Sequence, residues 1–381
     1  MGRHASGRRS TLQRVLLLLV PIVMTGCAPD RGWEAALLLT DIADAGKPSL
    51  LKRWTPEPER RAVNFKVGDK SYQGDLYLPA EEIKSGLLLV PGAAEGGRDD
   101  PRLVAFASSL ARVNFAVLVP ELTGLRKLQV GPENIVEVAD AFSWLASNAE
   151  LAPQGRAGMA ALSYAVGPVL IAALQESVRD QVRFVFAVGG YYDLEDTLTF
   201  FTTGYYRHQG EWHYLDPLDY GKWAFVVNNI HRLEDARDRR LFELMARRKR
   251  EDPDAPVDDL IAKLGPDGKS LVALVTNRDP GRVPDLLAAL PEEIRKDMAA
   301  LNPSAKDLSR LSAHLILIHG YEDQMIPFTQ SLALAEVLPP AQTELFLVHG
   351  LMHVDMEPGL TDSWHLWRAV LALLQARDGI F

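Results

Sequence analysis

Six short apolar runs punctuate the chain, and their order limits what it can become. They are GLLLVPG (86–92), FAVLVPEL (115–122), RAGMAAL (156–162), VRFVFAVGGYY (182–192), HLILIHG (314–320) and TELFLVHG (343–350). Between them lie segments with apolar residues at helical spacing: PRLVAFASSLARV (101–113), NIVEVADAFSWLAS (134–147), VGPVLIAALQ (166–175) and FTQSLALAEVLP (328–339). DSWHLWRAVLALLQAR (362–377) closes the chain as an amphipathic helix. Apolar strands alternating with helices predict a parallel sheet covered on both faces. Right-handed crossovers make it a doubly wound, mostly parallel α/β fold. Ligands bind such sheets outside the carboxyl ends of the strands. Ahead of this pattern, RRAVNFKVGDKSYQGDLYLPA (60–80) alternates about a turn at 67–70 and predicts a β-hairpin.

One interval breaks the alternation. Residues 193–305, 113 in all, separate two strand runs, where a crossover needs only about a dozen or more. The interval begins aromatic (FFTTGYYRHQGEWHYLDPLDYGKWAF, 200–225) and turns helical and charged (RLEDARDRRLFELMARRKRED, 232–252). It reads as an inserted, mainly helical cap. The cationic run 247–250 reads as a solvated helix face, since acids interleave with it. The core therefore divides into 60–192 and 306–381. Residues 27–59, with Pro29, Pro48, Pro56 and Pro58, read as a linker and irregular lead-in.

The first 26 residues read as an export signal. Arg3, Arg8, Arg9 and Arg14 stand without an acid, ahead of VLLLLVPIVM (15–24) and Thr25-Gly26-Cys27. The apolar run is too short to span a bilayer comfortably. Cys27, the single cysteine, follows the small pair, as in the lipobox that this stretch resembles, although Met24 replaces the usual leucine. The resemblance implies cleavage before Cys27, its lipidation, and a membrane-anchored lipoprotein of the cell envelope facing the periplasm or exterior. A plain signal peptide or uncleaved anchor is the alternative. The processed chain would carry 37 basic against 50 acidic residues, net −13. It would hold by its core rather than by disulfides, as its length permits. Even the full chain, at net −9, lacks the clustered positive charge that binding nucleic acid requires.

Candidate chemistry centres on ALSYA (161–165). Ser163 falls between a strand and a helix, the setting of a nucleophile elbow, where residues two before and two after must be small. Ala161 and Ala165 meet that demand in place of the usual glycines. A serine needs a base, and the base a carboxylate to orient it. His353, in HGLMHVDMEPG (349–359), and Asp323, in HGYEDQMIP (319–327), follow the last two strand runs and stand 30 residues apart. Both would emerge on adjacent strands at one edge of the sheet. Competing readings exist for each residue. Ser163 would also serve as a helix N-cap, and Asp323 as a turn or helix cap. Asp193 and Asp196 are rival acids, and His349 with His353 mimics a metal pair. His319 and His349 read as structural. The aromatics Phe200, Phe201, Tyr205, Tyr206, Trp212, Tyr214 and Trp223 suit either cap core or an acyl or aryl pocket.

From about residue 85 onward the chain resembles the α/β-hydrolase superfamily. The resemblance is carried by LLLVPGAAEGG, ALSYAVG, HGYEDQMIP and HGLMHVD. It implies a serine hydrolase needing neither cofactor nor metal, with Ser163 as nucleophile, Asp323 as acid and His353 as base. It also implies an oxyanion hole from the backbone N–H groups of Ala93 and Tyr164. Pro91 stands where many members have histidine, so which loop amide donates stays open. The expected substrate is a small or lipid-like acyl ester, with thioester or amide as alternatives. A non-catalytic envelope lipoprotein using the scaffold as a binding module is the second expectation.

Overall fold

The computed structural model describes residues 29–44, 47–92, 96–122, 124–252, 255–352, 355–356 and 360–381. Two strands open the core as a hairpin: β1 (Glu59–Val67) and β2 (Lys70–Leu78). Val67 pairs with Lys70 across Gly68-Asp69, and Gly68 adopts φ 56°. A glycine with positive φ at the first turn position lets the turn follow the twist of the strands. The apolar runs then form β3 (Ser85–Val90), β4 (Phe115–Pro120), β5 (Ala157–Leu162), β6 (Phe184–Val188), and, after a hairpin within the cap, β9 (His314–Gly320) and β10 (Thr343–Val348). The eight strands lie in the order β1-β2-β4-β3-β5-β6-β9-β10. β2 runs antiparallel to β4, and every pairing from β4 to β10 is parallel. The expected doubly wound, mostly parallel sheet is the observed one.

Strand residues alternate between two cores. Leu88 and Val90 of β3 enter one, Leu87 and Leu89 the other. The first core is covered by α4 (Glu133–Ser147) and α5 (Val166–Ala173), with α13 (Thr329–Val337). The second is covered by α1 (Pro29–Ala43), α2 (Leu50–Trp54), α3 (Pro101–Arg112) and α14 (Leu360–Arg377).

The segment read as a linker is therefore partly helical and packed. α1 buries Ala35, Leu37, Leu38 and Leu39 against that second core. The buried carboxylate of Asp41 accepts from Ser109 Oγ at 2.6 Å on α3 and pairs with Lys52 at 2.7 Å on α2. The buried Arg377 guanidinium donates to both Glu34 oxygens, at 2.5 and 2.9 Å. The prolines misled because they border these helices instead of breaking them. Pro29 begins α1, and Pro48 precedes Ser49, which caps α2 by accepting from Lys52 N at 3.1 Å.

Between β6 and β9 lie α6 (Leu194–Thr203), a hairpin of β7 (Tyr205–His208) and β8 (Glu211–Tyr214), α7 (Asp219–Asn229), α8 (Ala236–Glu251), α9 (Asp258–Ile261), α10 (Pro266–Thr276), α11 (Val283–Ala288) and α12 (Glu292–Leu301). The helices share a core of their own that includes Leu198, Val226, Phe242, Leu271 and Ile294. Its cationic run stands on α8, where Arg248 pairs with Asp259 at 2.5 Å. No helix among the described residues is long and apolar enough to cross a membrane; the run 15–24 and Cys27 lie outside them.

Candidate active site

All the parallel strands deliver their carboxyl ends to one edge, and Ser163 stands there at the end of β5. Its backbone is in the left-handed region, φ 54°. A non-glycine residue seldom occupies that region unless the surrounding structure enforces it. The enforcement is visible. Leu162 enters extended, and the helical turn 163–165 feeds directly into α5. Ala161 and Ala165 are buried on either side. A Cβ on Gly190, at the end of neighbouring β6, would lie 2.4 Å from Val166 Cβ, so only glycine lets the two backbones approach. One on Gly167 would meet the Tyr191 hydroxyl at 2.0 Å. That hydroxyl donates to Leu301 O at 2.8 Å, joining the elbow's helix to the end of the cap. The sequence signals used for the site do not include Gly190; its cue was the doubled glycine in AVGGYY.

The half-buried Ser163 faces the loop after β3. A Cβ placed on Gly92 would stand 3.5 Å from Ser163 Cβ and 3.4 Å from Leu162 O. Beyond the next three residues this loop is pinned by charge. Asp75 of β2 pairs with Arg60 at 2.6 Å and Arg98 at 3.4 Å, and Arg126 pairs with Asp99 at 2.8 Å. Ala93, the expected oxyanion donor, lies outside the described residues. Tyr164, the other expected donor, follows Ser163 directly; its ring centroid lies 4.9 Å from that of Tyr191. Burial pushes the Tyr164 phenol up to about 12.

Asp323 is buried in the turn after β9. Its Oδ1 accepts from Met325 N at 2.8 Å and Ile326 N at 3.0 Å, which fixes the plane of the carboxylate. His319 lies beneath it, Nε2 3.5 Å from Asp323 Oδ2. His319 Nε2 donates to Ile326 O at 2.9 Å, and Nδ1 is hydrogen-bonded to the Ser331 hydroxyl at 2.7 Å. Both ring nitrogens of this buried histidine are therefore engaged within the fold. Of the two rival carboxylates, Asp193 is engaged elsewhere. Asp193 caps α6 by accepting from Asp196 N at 3.0 Å, and its second oxygen accepts from Ser304 Oγ at 2.5 Å. Burial and the neighbouring Asp193 raise the Asp196 carboxyl.

His353 lies outside the described residues. The segments that flank it are placed. β11 (Leu351–Met352) pairs antiparallel with β12 (Asp355–Met356). A Cβ on Gly320 would fall 1.8 Å from Leu351 O, so β11 runs directly over the end of β9. The same connection is held to the Asp323 turn by Tyr321 and Glu322. The Tyr321 ring stacks on His349 at 4.5 Å, and Glu322 bonds His349 Nδ1 and accepts from Gly350 N at 3.3 Å. That bond raises the exposed His349 imidazole above its ordinary value. Asp362 of α14 accepts from His349 N at 2.7 Å. Glu322, adjacent to Asp323 in sequence, is the residue of this assembly that motif reading passed over.

The cap leans on the same edge. Leu218 N donates to Gln324 O at 3.0 Å, and Arg232 Nη2 donates to Val130 O at 2.8 Å. Phe328, after β9, meets the rings of Tyr206 and His208 at 5.9 and 5.3 Å. The aromatic set divides accordingly. Phe200 and Phe201 are buried and Trp223 packs on the cap core, whereas Trp212 and Tyr214 face outward.

No protein-family model and no curated protein matches the chain. Among solved structures it is similar to an acylaminoacyl peptidase of Pyrococcus horikoshii: 16% identity, TM-score 0.45, over 86% of this chain and 42% of that one. A Pyrobaculum calidifontis esterase gives 12% identity and TM-score 0.47, over 95% and 97%. A dienelactone hydrolase of Anabaena variabilis gives 16% and 0.43, over 84% and 99%. The chain spans under half the length of the peptidase, and no activity passes to it from likenesses this distant. The chain's own geometry is plainer: an eight-stranded, mostly parallel sheet whose central strand ends in a serine at positive φ, strand before and helix after. That is the arrangement of the α/β-hydrolase fold, and it is the fold of this chain.

Proposed function

We propose that the protein is a serine hydrolase that cleaves a carboxylic ester through an acyl-enzyme. The observation that carries this reading is Ser163, held at φ 54° on the carboxyl end of β5 with Gly92 against it. Strain of that kind persists where function requires it, and here it lifts a hydroxyl out of the sheet. Ser163 directly follows β5 and Asp323 lies in the turn after β9; the two strands are two apart in the sheet, about 10 Å, a gap suited to an imidazole hydrogen-bonded at both nitrogens. His353 is assigned to it. In this scheme His353 removes the hydroxyl proton as Ser163 attacks the carbonyl carbon. The same proton then passes to the leaving alcohol. Asp323, oriented by two backbone N–H groups, selects the tautomer and stabilises the imidazolium. Backbone N–H groups of Tyr164 and Ala93 are the proposed donors to the oxyanion. Water repeats the cycle and frees the acid. Export with lipidation of Cys27 belongs to the same proposal and rests on the sequence.

A panel of p-nitrophenyl esters of increasing acyl length tests the reading. Hydrolysis by the wild type that Ser163→Ala removes, with both proteins folded, supports it. Equal rates for the two overturn it.

A further inference from the structure

We propose that α7 is a fixed roof over Ser163, and that Ala224 and Phe225 at its midpoint set the size of the apolar acyl group the site accepts. The placement stands on its own contacts; the acyl group rests on the hydrolase reading. Both ends of the segment 216–232 are tied to the core. At its start, Leu218 N donates to Gln324 O at 3.0 Å and Gln324 Nε2 donates to Asp216 O at 2.9 Å, next to Asp323. At its end, Val130 N donates to Asn228 Oδ1 at 2.5 Å and Arg232 Nη2 donates to Val130 O at 2.8 Å. Arg232 also donates to Asn228 O at 2.7 Å, closing the last turn, and pairs with Asp297 of α12 at 2.5 Å. Only 6% of the Arg232 side chain is exposed, so water competes little for these bonds. Tyr164, the residue after Ser163, stands within reach of this end. After its own burial and Tyr191, the groups acting on its phenol are Arg232 and Asp297.

The spans match. Gln324 follows β9 and Val130 follows β4, and the strands from β4 to β9 lie in the order β4-β3-β5-β6-β9. Four strand spacings come to about 19 Å. The 14 steps from Leu218 to Arg232, helical almost throughout, rise about 21 Å. β5 is the middle strand of the five, so the middle of the segment, at 224 and 225, passes over its end, where Ser163 stands. The helix face agrees. Gly221 lies against the core, since a Cβ on it would stand 3.5 Å from Met325 Cε, and Asn228 bonds Val130. At 3.6 residues per turn, 221 and 228 share a face that 224 and 225 flank. Val226 turns away into the cap core. Ala224 is half-buried and leaves space beneath the helix, and Phe225, 5.9 Å from the Phe201 ring, walls it. Lys222, the buried cation of the helix, pairs with Asp219 at 2.7 Å. Met325, Phe201 and Phe225 are apolar, so the group such a roof accepts is apolar and uncharged.

Cross-linking tests the roof without any activity. In a Cys27→Ala background, the pair Ser163→Cys with Ala224→Cys should be joined within one chain by a short bifunctional maleimide. The pair Ser163→Cys with Leu244→Cys, on the exposed side of α8, should not. Absence of the first cross-link, or both pairs joined equally, overturns the placement. For the acyl group, p-nitrophenyl acetate is compared with esters of longer straight acyl chains. Ala224→Trp should keep acetate hydrolysis within about threefold of wild type. On the longest ester the wild type cleaves, it should lose at least about tenfold in kcat/KM. Phe225→Ala should shift preference toward bulkier acyl groups. Unchanged ratios between esters in both variants overturn the inference. So does an Ala224→Trp protein whose urea midpoint falls and whose rates fall alike on every ester, because residue 224 then packs in the cap core. A wild type that hydrolyses no ester refutes the hydrolase reading instead, and the cross-link still decides the roof.

Discussion

Replacing Ser163 by glycine and by alanine separates the backbone of the elbow from its chemistry. Both substitutions delete the hydroxyl and its contacts, so both are expected to abolish ester hydrolysis. They differ in what φ 54° costs them. For alanine the left-handed conformation costs about 1–2 kcal/mol; for glycine it costs almost nothing. Glycine's greater freedom in the unfolded chain returns about 0.5–1 kcal/mol of that advantage. Ser163→Gly should therefore be more stable than Ser163→Ala by about 0.5–1 kcal/mol, a factor of about 2–5 in the unfolding equilibrium. Urea unfolding of the two variants side by side, followed by far-ultraviolet circular dichroism, gives the difference without reference to the wild type. An alanine variant as stable as the glycine variant, or more so, refutes the claim that the fold forces residue 163 into this conformation.

Three further outcomes follow from the same geometry. Asp323→Asn keeps an oxygen for Met325 N and Ile326 N, so unfolding should be little changed while kcat falls about 10³–10⁴-fold; a small fall removes Asp323 from the mechanism. Gly190→Ala forces a Cβ to within 2.4 Å of Val166 Cβ and should cost about 1–3 kcal/mol, part of it recovered with Val166→Gly in a double-mutant cycle; an unchanged unfolding midpoint contradicts the close approach. His349 is raised by Glu322, so the clamp between the two turns is complete below the ordinary histidine value and is released as pH rises through the folded one. NMR titration should find His349 shifted down in Glu322→Gln, and the same titration in both proteins would contradict the pairing.

Much of this was legible because the parallel sheet writes itself into sequence. Runs buried on both faces, such as HLILIHG and FAVLVP, have no competing pattern, and β9 spans the residues read from the sequence. Ser163 was legible for a related reason: its flanking alanines satisfy a steric rule that the strand-to-helix turn imposes. What escaped were contacts made between distant segments. α1 was hidden by prolines at its borders, and its partners Arg377 and Ser109 are remote in sequence. The β7–β8 hairpin was hidden because its outer strand is exposed throughout, so burial leaves no alternation to read. Its turn was the available cue: Gln209 and Gly210 both take positive φ, as a tight two-residue hairpin requires. Glu322 escaped because its role depends on a loop 27 residues away.

The claim on which the rest depends is that Ser163 is an activated nucleophile. Mass spectrometry of the folded protein after treatment with a fluorophosphonate tests it most directly. One phosphonyl adduct on the peptide containing Ser163, absent from Ser163→Ala and strongly slowed in His353→Ala, is the predicted result. Folded wild-type protein that carries no adduct after prolonged exposure, or carries it on another serine, would contradict it.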